Sequence, residues 1–423
     1  MNNKNLIHRS ILEDLRRDIY RPEIAFLIGP RQAGKTTIMR IIQKELRNAG
    51  ERTLFLSLDY DQDRVFFATQ QQLIKKIELE IGKKPGFVFI DEIGRREDAG
   101  VFLKGLQDMG LPYKFIVSGS GSVDLRASVR ESMLGRKRLY EVFPLSLYEF
   151  VEYKTEYQYS DRLPDFFSLE HSRKSELLYE YMNFGGYPRA VLEVEAREKL
   201  REMDEIYQGY ITRDIVSLLK IEKIEAYSQL IKTLADQAGK IINYSELSST
   251  LGIAMPTVKN YCWYAEETYI LKRISPFFRN IRSEITKAPT VYFQDLGLRN
   301  FALGIFGKIQ RPEDQSFVFQ NLIYLILREK IRFTGANVHF WRTTTKTEID
   351  FVVDAGRTII PVEVKFQDLN RPSVPRAFYG FISKYSPPYC LVVNKSLKTT
   401  VRHRNIEIRY VTVWDLLMSP LID

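Results

Sequence analysis

At 423 residues the chain has room for more than one hydrophobic core, and its length suggests roughly two to four domains. An apolar share of 44% and a charged share of 27% are those of an ordinary soluble globular protein, and a net charge of +9 favours an anionic partner without identifying it. The two cysteines, Cys262 and Cys390, are far apart and carry no partner motif, which argues against a disulfide framework or a zinc site and fits a reducing cytosol.

The first twenty residues lack the apolar centre of a signal peptide and read as an amphipathic helix, with Ile7, Ile11, Leu12, Leu15 and Ile19 on one side. No apolar run approaches membrane-spanning length, so the expectation is a cytoplasmic protein with no membrane partner. Ile24 to Ile28 then reads as a buried parallel strand. It runs into Gly29-Pro30-Arg31-Gln32-Ala33-Gly34-Lys35-Thr36-Thr37, which fits G-x-x-x-x-G-K-[ST], and a helix opens at Ile38. Strand, glycine loop and helix in that order make a phosphate cradle. Backbone N–H groups converge on phosphate oxygens, and the positive end of the helix adds to their field. Lys35 would reach the β- and γ-phosphates of a nucleoside triphosphate, and the Thr36 hydroxyl would ligate Mg²⁺.

A second strand covers Arg52 to Asp59, helical patterning covers Gln70 to Ile81, and an apolar strand from Gly86 ends in Asp91 and Glu92. About fifty residues after a phosphate loop, these two carboxylates have defined expectations. Asp91 holds Mg²⁺ through its water shell, and Glu92 orients and polarises the attacking water. The strand from Tyr113 ends in Ser118-Gly119-Ser120, where Ser118 or Ser120 would face the γ-phosphate. Strands alternating with helices imply an open, doubly wound parallel sheet.

The chain resembles the prokaryotic AAA+ ATPases whose ATPase core carries a C-terminal region of unassigned function. The resemblance rests on GPRQAGKTT (29–37), FIDEI (89–93), SGSGS (118–122), LGRKRLYEVFPLSLYEF (134–150), FGGYPRAV (184–191), TEIDFVV (347–353) and PVEVK (361–365), so it covers nearly the whole chain. It implies ATP as the nucleotide and makes Arg136 the candidate arginine finger, with Arg126 and Arg130 as rivals. A finger acting in trans requires a homo-oligomer, and a hexamer is one form it would take. The Phe184-Gly185-Gly186-Tyr187-Pro188 breaker fits a bent connection in the helical lid, and Arg213-Asp214 in the next helix reads as a second sensor or a surface ion pair.

From Lys240 to Phe277 a short helix, a turn at Gly252, a second helix from Met255 and a strand ending in Lys272-Arg273 have the spacing of a helix-turn-helix with a wing. Pro256, Thr257, Lys259 and Asn260 would face a DNA groove, and Lys272 and Arg273 would reach phosphates. Winged helices also dock proteins. In the last third, Asp350 at a strand start, followed by Glu363-x-Lys365 on the adjacent strand, resembles the PD-(D/E)xK nuclease core. That resemblance assigns Mg²⁺ to Asp350 and Glu363 and the attacking water to Lys365. Where such cores carry a helical glutamate, this chain has Gln320, a poorer Mg²⁺ ligand. Arg402, His403, Arg404 and Arg409 add basic charge near the C-terminus.

The expected fold is therefore α/β: a P-loop AAA+ core with a parallel sheet (1–165), a helical lid (166–238), a winged helix (239–288) and a nuclease-like α/β domain (289–423). The expected function is an ATPase using ATP and Mg²⁺ that couples turnover to DNA remodelling or translocation, on branched DNA as one case. The alternative is an ATP-dependent oligomerising switch in signalling or defence, whose C-terminal domains bind protein and have no nuclease activity.

Overall fold

A computed structural model of the chain describes residues 6–120, 133–211, 224–278 and 288–422. Five parallel strands form the first sheet: β1 (Ile24–Gly29), β2 (Thr53–Ser57), β3 (Gly86–Asp91), β4 (Tyr113–Ser120) and β5 (Lys137–Glu141). Their order is β2-β3-β4-β1-β5, so β4 is inserted between the strand that feeds the phosphate loop and the strand that ends in the two carboxylates. All six residues of β1 and of β3 are buried, as continuous apolar runs in a sheet covered on both faces must be. On one face lie α1 (Ile11–Asp18) and α2 (Lys35–Asn48), where Ile11, Leu12, Leu15, Ile38 and Met39 pack on Ala25, Leu27 and Phe89. On the other, α3 (Gln70–Ile81) and α4 (Ala99–Asp108) pack Leu73, Ile77, Leu103 and Leu106 on Phe26, Ile28, Val88 and Ile90. The result is a three-layer α/β sandwich with its strand C-terminal ends on one edge.

Helices follow. A capping box between Ser146 and Glu149 starts α5 (Leu147–Lys154), and α6 (Leu163–Leu169) and α7 (His171–Phe184) lead to a sharp turn at Gly185. Beyond it come α8 (Pro188–Leu192) and α9 (Ala196–Gln208), then α10 (Ile224–Asp236). The helix-turn-helix is α11 (Tyr244–Leu251) and α12 (Met255–Glu267), with Gly252 in the left-handed region between them. Antiparallel β6 (Leu271–Ile274) and β7 (Thr290–Phe293) complete that unit, and α13 (Leu296–Leu303) leads out of it.

The long helix α14 (Pro312–Lys330) backs a second, six-stranded sheet. Its strands β8 (Asn337–Arg342), β9 (Glu348–Asp354) and β10 (Ile359–Lys365) form an antiparallel meander. Helix α15 (Arg376–Tyr385) crosses over to β11 (Tyr389–Asn394), parallel to β10, and β12 (Thr399–His403), β13 (Ile406–Thr412) and α16 (Val413–Met418) close the chain. One apolar cluster runs through three segments that the sequence suggests are separate. It joins Leu145 and Phe150, Tyr181 and Met182, and Phe319, Leu322, Val353 and Val362.

Candidate functional site

The phosphate loop owes its shape to three residues with positive φ: Gly29 at 148°, Gln32 at 58° and Gly34 at 97°. A Cβ on Gly29 would sit 2.0 Å from the carbonyl oxygen of Val142, so the loop can pass under β5 only as glycine. Gly34 caps α2, and the side chain of Lys35, almost wholly buried, curls back to donate to the carbonyls of Gly29 (3.0 Å) and Pro30 (2.8 Å). The two carbonyl oxygens hold the ammonium at the loop, where phosphate oxygens can take their place.

Thr36, the first-turn residue beside Lys35, donates its hydroxyl to Asp91 Oδ2 at 2.9 Å. Burial pushes the Asp91 carboxyl above its usual range, and the hydroxyls of Ser118 and Thr36 offset part of that shift. Ser118 lies on the inserted strand β4 and is fully buried. Its hydroxyl donates to Asp91 Oδ1 and accepts the Glu92 N–H at 3.1 Å. The structure thus engages Ser118 with both acidic residues, through the Asp91 carboxylate and the Glu92 N–H. Glu92 itself takes the left-handed conformation (φ 53°, ψ 45°), an uncommon state for a non-glycine residue that turns its side chain out of the strand line.

Gly34, Lys35, Thr36, Thr37 and Glu92 line a cavity of about 660 Å³. Its other walls come from segments that sequence reasoning passes over. Leu6, Ile7, Ile41, Pro188 and Leu192 supply an apolar side, and Arg9 and Arg189 supply charge. Arg9 is buried. It donates to the carbonyls of Ala33 (2.9 Å) and Phe143 (2.6 Å) and pairs with Glu149 at 3.2 Å, tying the N-terminal segment to the phosphate loop and to α5. Arg189, at the start of α8, sits 3.5 Å from Gln32 Oε1 and is steadied by Glu202 (3.1 Å) and Glu205 (3.2 Å) of α9. The only sequence signal for Arg189 is its place directly after the Gly-Gly-Tyr-Pro breaker; Arg9 has none.

Arg136 lies at the opposite edge of the sheet. Its carbonyl accepts from Ile24 N–H at 3.0 Å and its guanidinium pairs with Asp108 at 2.6 Å. The length of β1, about 17 Å at 3.3 Å per residue, separates it from the loop of its own chain. Ser120's side chain, Arg126, Arg130, Arg213 and Asp214 lie outside the described residues.

In the helix-turn-helix, Pro256, Lys259 and Asn260 are exposed on α12, and Thr257 is half-buried. Lys259 rests 5.6 Å from the centre of the Tyr244 ring. Lys272 and Arg273 share Glu266, at 2.5 and 2.7 Å, and Arg273 is half-buried. One carboxylate offsets one of these two positive charges, and Lys272 stays exposed.

In the second sheet Asp350, Glu363 and Lys365 come together as their spacing predicts, since Phe351 pairs with Val362 and the next residues of the two strands lie side by side. Asp350 accepts from Gln320 Nε2 and from the Val364 N–H, both at 2.7 Å, and Lys365 donates to Glu363 Oε1 at 2.7 Å. Burial, reinforced by the charge of Glu363, pushes the Asp350 carboxyl up. An amide stands where a third carboxylate is expected and Lys365 lies on Glu363 Oε1, while Glu363 Oε2 is buried without a hydrogen-bond partner. Among the described residues no group of three His, Cys, Asp or Glu side chains is placed to hold a metal.

Three family models match the chain. Residues 21–151 match one described as AAA domain, residues 175–308 one described as Domain of unknown function (DUF8612), and residues 315–414 one described as Domain of unknown function (DUF4143). The first places the parallel sheet and its phosphate loop among P-loop AAA ATPase domains and supports ATP binding and hydrolysis. The chain is similar to an uncharacterised protein of Mycobacterium tuberculosis, 25% identical over 372 residues, 86% of this chain and 74% of that one. It is also similar to one of Methanocaldococcus jannaschii, 24% identical over 377 residues, 87% and 80% of the two chains. Among solved structures, the replication initiator DnaA bound to AMPPCP and single-stranded DNA aligns with a TM-score of 0.30 at 16% identity, over 62% of this chain and 91% of that one, a likeness too slight to carry an argument. No helix among the described residues is long and apolar enough to cross a membrane.

Proposed function

We propose that the chain is an AAA+ ATPase that binds ATP·Mg²⁺ at Gly29–Thr37 and Asp91, hydrolyses it with Glu92, and couples turnover to nucleic acid handled by its C-terminal half. The observation that carries this reading is the convergence of Lys35, Thr36, Asp91 and Glu92 at one strand edge, with Ser118 bonded to the Asp91 carboxylate and to the backbone N–H of Glu92. Thr36 and Asp91 offer the hard oxygen donors that Mg²⁺ takes, and a buried carboxyl with a raised pKa gains by facing a dication. Mg²⁺ held by Thr36 and Asp91 would offset charge on the phosphates. Lys35 exchanges its loop carbonyls for phosphate oxygens, the loop N–H groups hold the chain of phosphates, and Glu92 orients water and accepts its proton. Arg189 closes the cavity from the helical side. Arg136, too distant from its own loop, acts on the loop of a neighbouring copy, which makes the working form a homo-oligomer.

ATPase rates measured with and without a panel of single strands, duplexes, forks and junctions test the reading. Stimulation by a DNA form is the expected result, and no turnover at all would overturn it. Glu266, which Lys272 and Arg273 share, and Gln320, bonded to Asp350 where a carboxylate is expected, favour a second reading for the C-terminal half, that of an ATP-dependent switch that docks protein and cuts nothing. Tight binding to the panel that weakens steeply with salt argues against the switch.

A further inference from the structure

Four cations near the second sheet's outer edge have an acid beside them. Arg402 and Arg409 sit on Glu407 at 3.3 and 2.9 Å, Lys398 on Asp415 at 2.6 Å, and Lys395 on Asp368 at 3.0 Å. At the corner where α15 meets the β12–β13 turn the matching stops. Arg376, Lys384 and Arg404 are exposed, and no carboxylate of the described residues lies within ion-pair distance of them. Arg376, Tyr379 and Ser383 follow one another along one exposed side of α15, with Lys384 next to it, while Phe378, Phe381, Ile382 and Tyr385 point into the core.

Two features set this corner apart from an ordinary solvated surface. Tyr379 is 44% exposed, and its ring packs against His403 of β12 at 4.7 Å between centres with the planes 78° apart. Arg404 reaches back across the turn to donate to Ser383 Oγ at 2.5 Å. It does so from an unfavourable backbone. His403 pairs with Ile406, so Arg404 and Asn405 form a two-residue hairpin loop, and both have positive φ, 48° and 64°. Such loops favour Asn or Gly at their first position, and an arginine there is a side chain kept against the preference of the turn.

We infer that this corner, formed by Arg376, Tyr379, Lys384, His403 and Arg404, binds single-stranded nucleic acid. Its phosphates lie on the unmatched cations, and an unpaired base stacks on Tyr379. An exposed aromatic ring among cations with no internal acid suits a strand with accessible base faces, because stacking and phosphate contact alternate along it. The inference rests on the nucleic-acid reading above, and moves the main contact away from the hairpin of Lys272 and Arg273, which share Glu266.

The test uses the full chain, a labelled oligothymidylate and a duplex of equal length, followed by fluorescence anisotropy across a salt series. Tyr379→Ser is expected to weaken oligothymidylate binding about tenfold. Arg404→Asn is expected to weaken it and to reduce the salt slope by about 0.7, the loss of one phosphate contact. Because asparagine suits the turn, Arg404→Asn should melt no lower than the unmutated chain, which separates lost contact from lost fold. ATP turnover without nucleic acid should be unchanged in both. The inference is overturned if both variants bind as the unmutated chain does, or if polyglutamate displaces the strand as well as an unlabelled strand does. If only Lys259→Ala weakens binding, nucleic acid is handled by α12 and this corner is not its site. If the unmutated chain binds neither probe, this inference and the broader reading fall together.

Discussion

Gly29 admits no side chain. Its φ of 148° and the 2.0 Å that would separate a Cβ from Val142 O leave alanine no low-energy solution, so Gly29→Ala should unseat the loop. Calorimetric titration should show ATP binding lost, together with a lower melting temperature. Lys35→Ala should lose ATP binding while melting like the parent, since its side chain serves the ligand more than the fold. Glu92→Gln should bind ATP normally and hydrolyse it slower by about two to four powers of ten, read as single-turnover rates. If Glu92→Gln turns over at the parental rate, another group activates the water. At this scale most of the site is legible in the sequence, because Gly29 to Thr37 are contiguous and Asp91 and Glu92 end one strand. Ser118 is legible as a polar strand end but its partners are not, since they depend on β4 lying between β1 and β3. Arg9 is illegible: a lone arginine near the start of a chain looks like solvent-facing charge until Ala33 and Phe143 are placed beside it.

The turn between α7 and α8 shows what a pair of glycines does for an element. A Cβ on Gly185 would lie 2.4 Å from Gly297 N, and one on Gly186 would lie 2.2 Å from Leu145 O. Both therefore exist for close approach. The sequence marks the site as a helix breaker but cannot name what presses against it. The contact partner is Asp295, which caps α13 through the Leu298 N–H (2.8 Å) and accepts the Gly186 N–H (2.7 Å), joining the wall of the nucleotide cavity to the C-terminal half. Gly186→Ala should cost about 2 kcal/mol or more in chemical denaturation, from overpacking against backbone that cannot yield.

Burial holds the Asp295 carboxyl at a pKa of about 6, above its ordinary 3.8, with the backbone N–H groups offsetting part of the shift. A carboxyl whose pKa is raised by folding contributes stability that is complete below about pH 4 and is lost as pH rises to about 6. The deficit of Asp295→Asn relative to the parent should therefore narrow over that window, measured by urea unfolding at each pH. A deficit constant with pH would mean that Asp295 does not titrate there. Lys272 and Arg273 teach the complementary lesson. Their basic character is plain in the sequence, but Glu266 lies one helix end away, and only the fold brings it to them.

At the scale of the molecule, the second sheet assembles the Asp350, Glu363 and Lys365 pattern that the sequence announces, yet sets Gln320 on Asp350. With Mg²⁺ or Mn²⁺ supplied, the unmutated chain and Asp350→Ala should leave plasmid and fork substrates equally intact on a gel. Cutting that disappears in Asp350→Ala would restore the nuclease assignment. The α/β class and the order of the parts are readable from periodicity and motif. How the parts share an interior is not, because every helix shows one apolar side and none declares which neighbour will cover it. The cluster that runs from Leu145 and Tyr181 through Leu322 to Val362 spans all the segments a sequence reader would cut apart. These segments cannot be traded between proteins like beads on a string. A nonsense mutation before Pro312 would leave no leaner protein behind: it would bare the apolar residues around Leu145 and Tyr181, and proteases would find them.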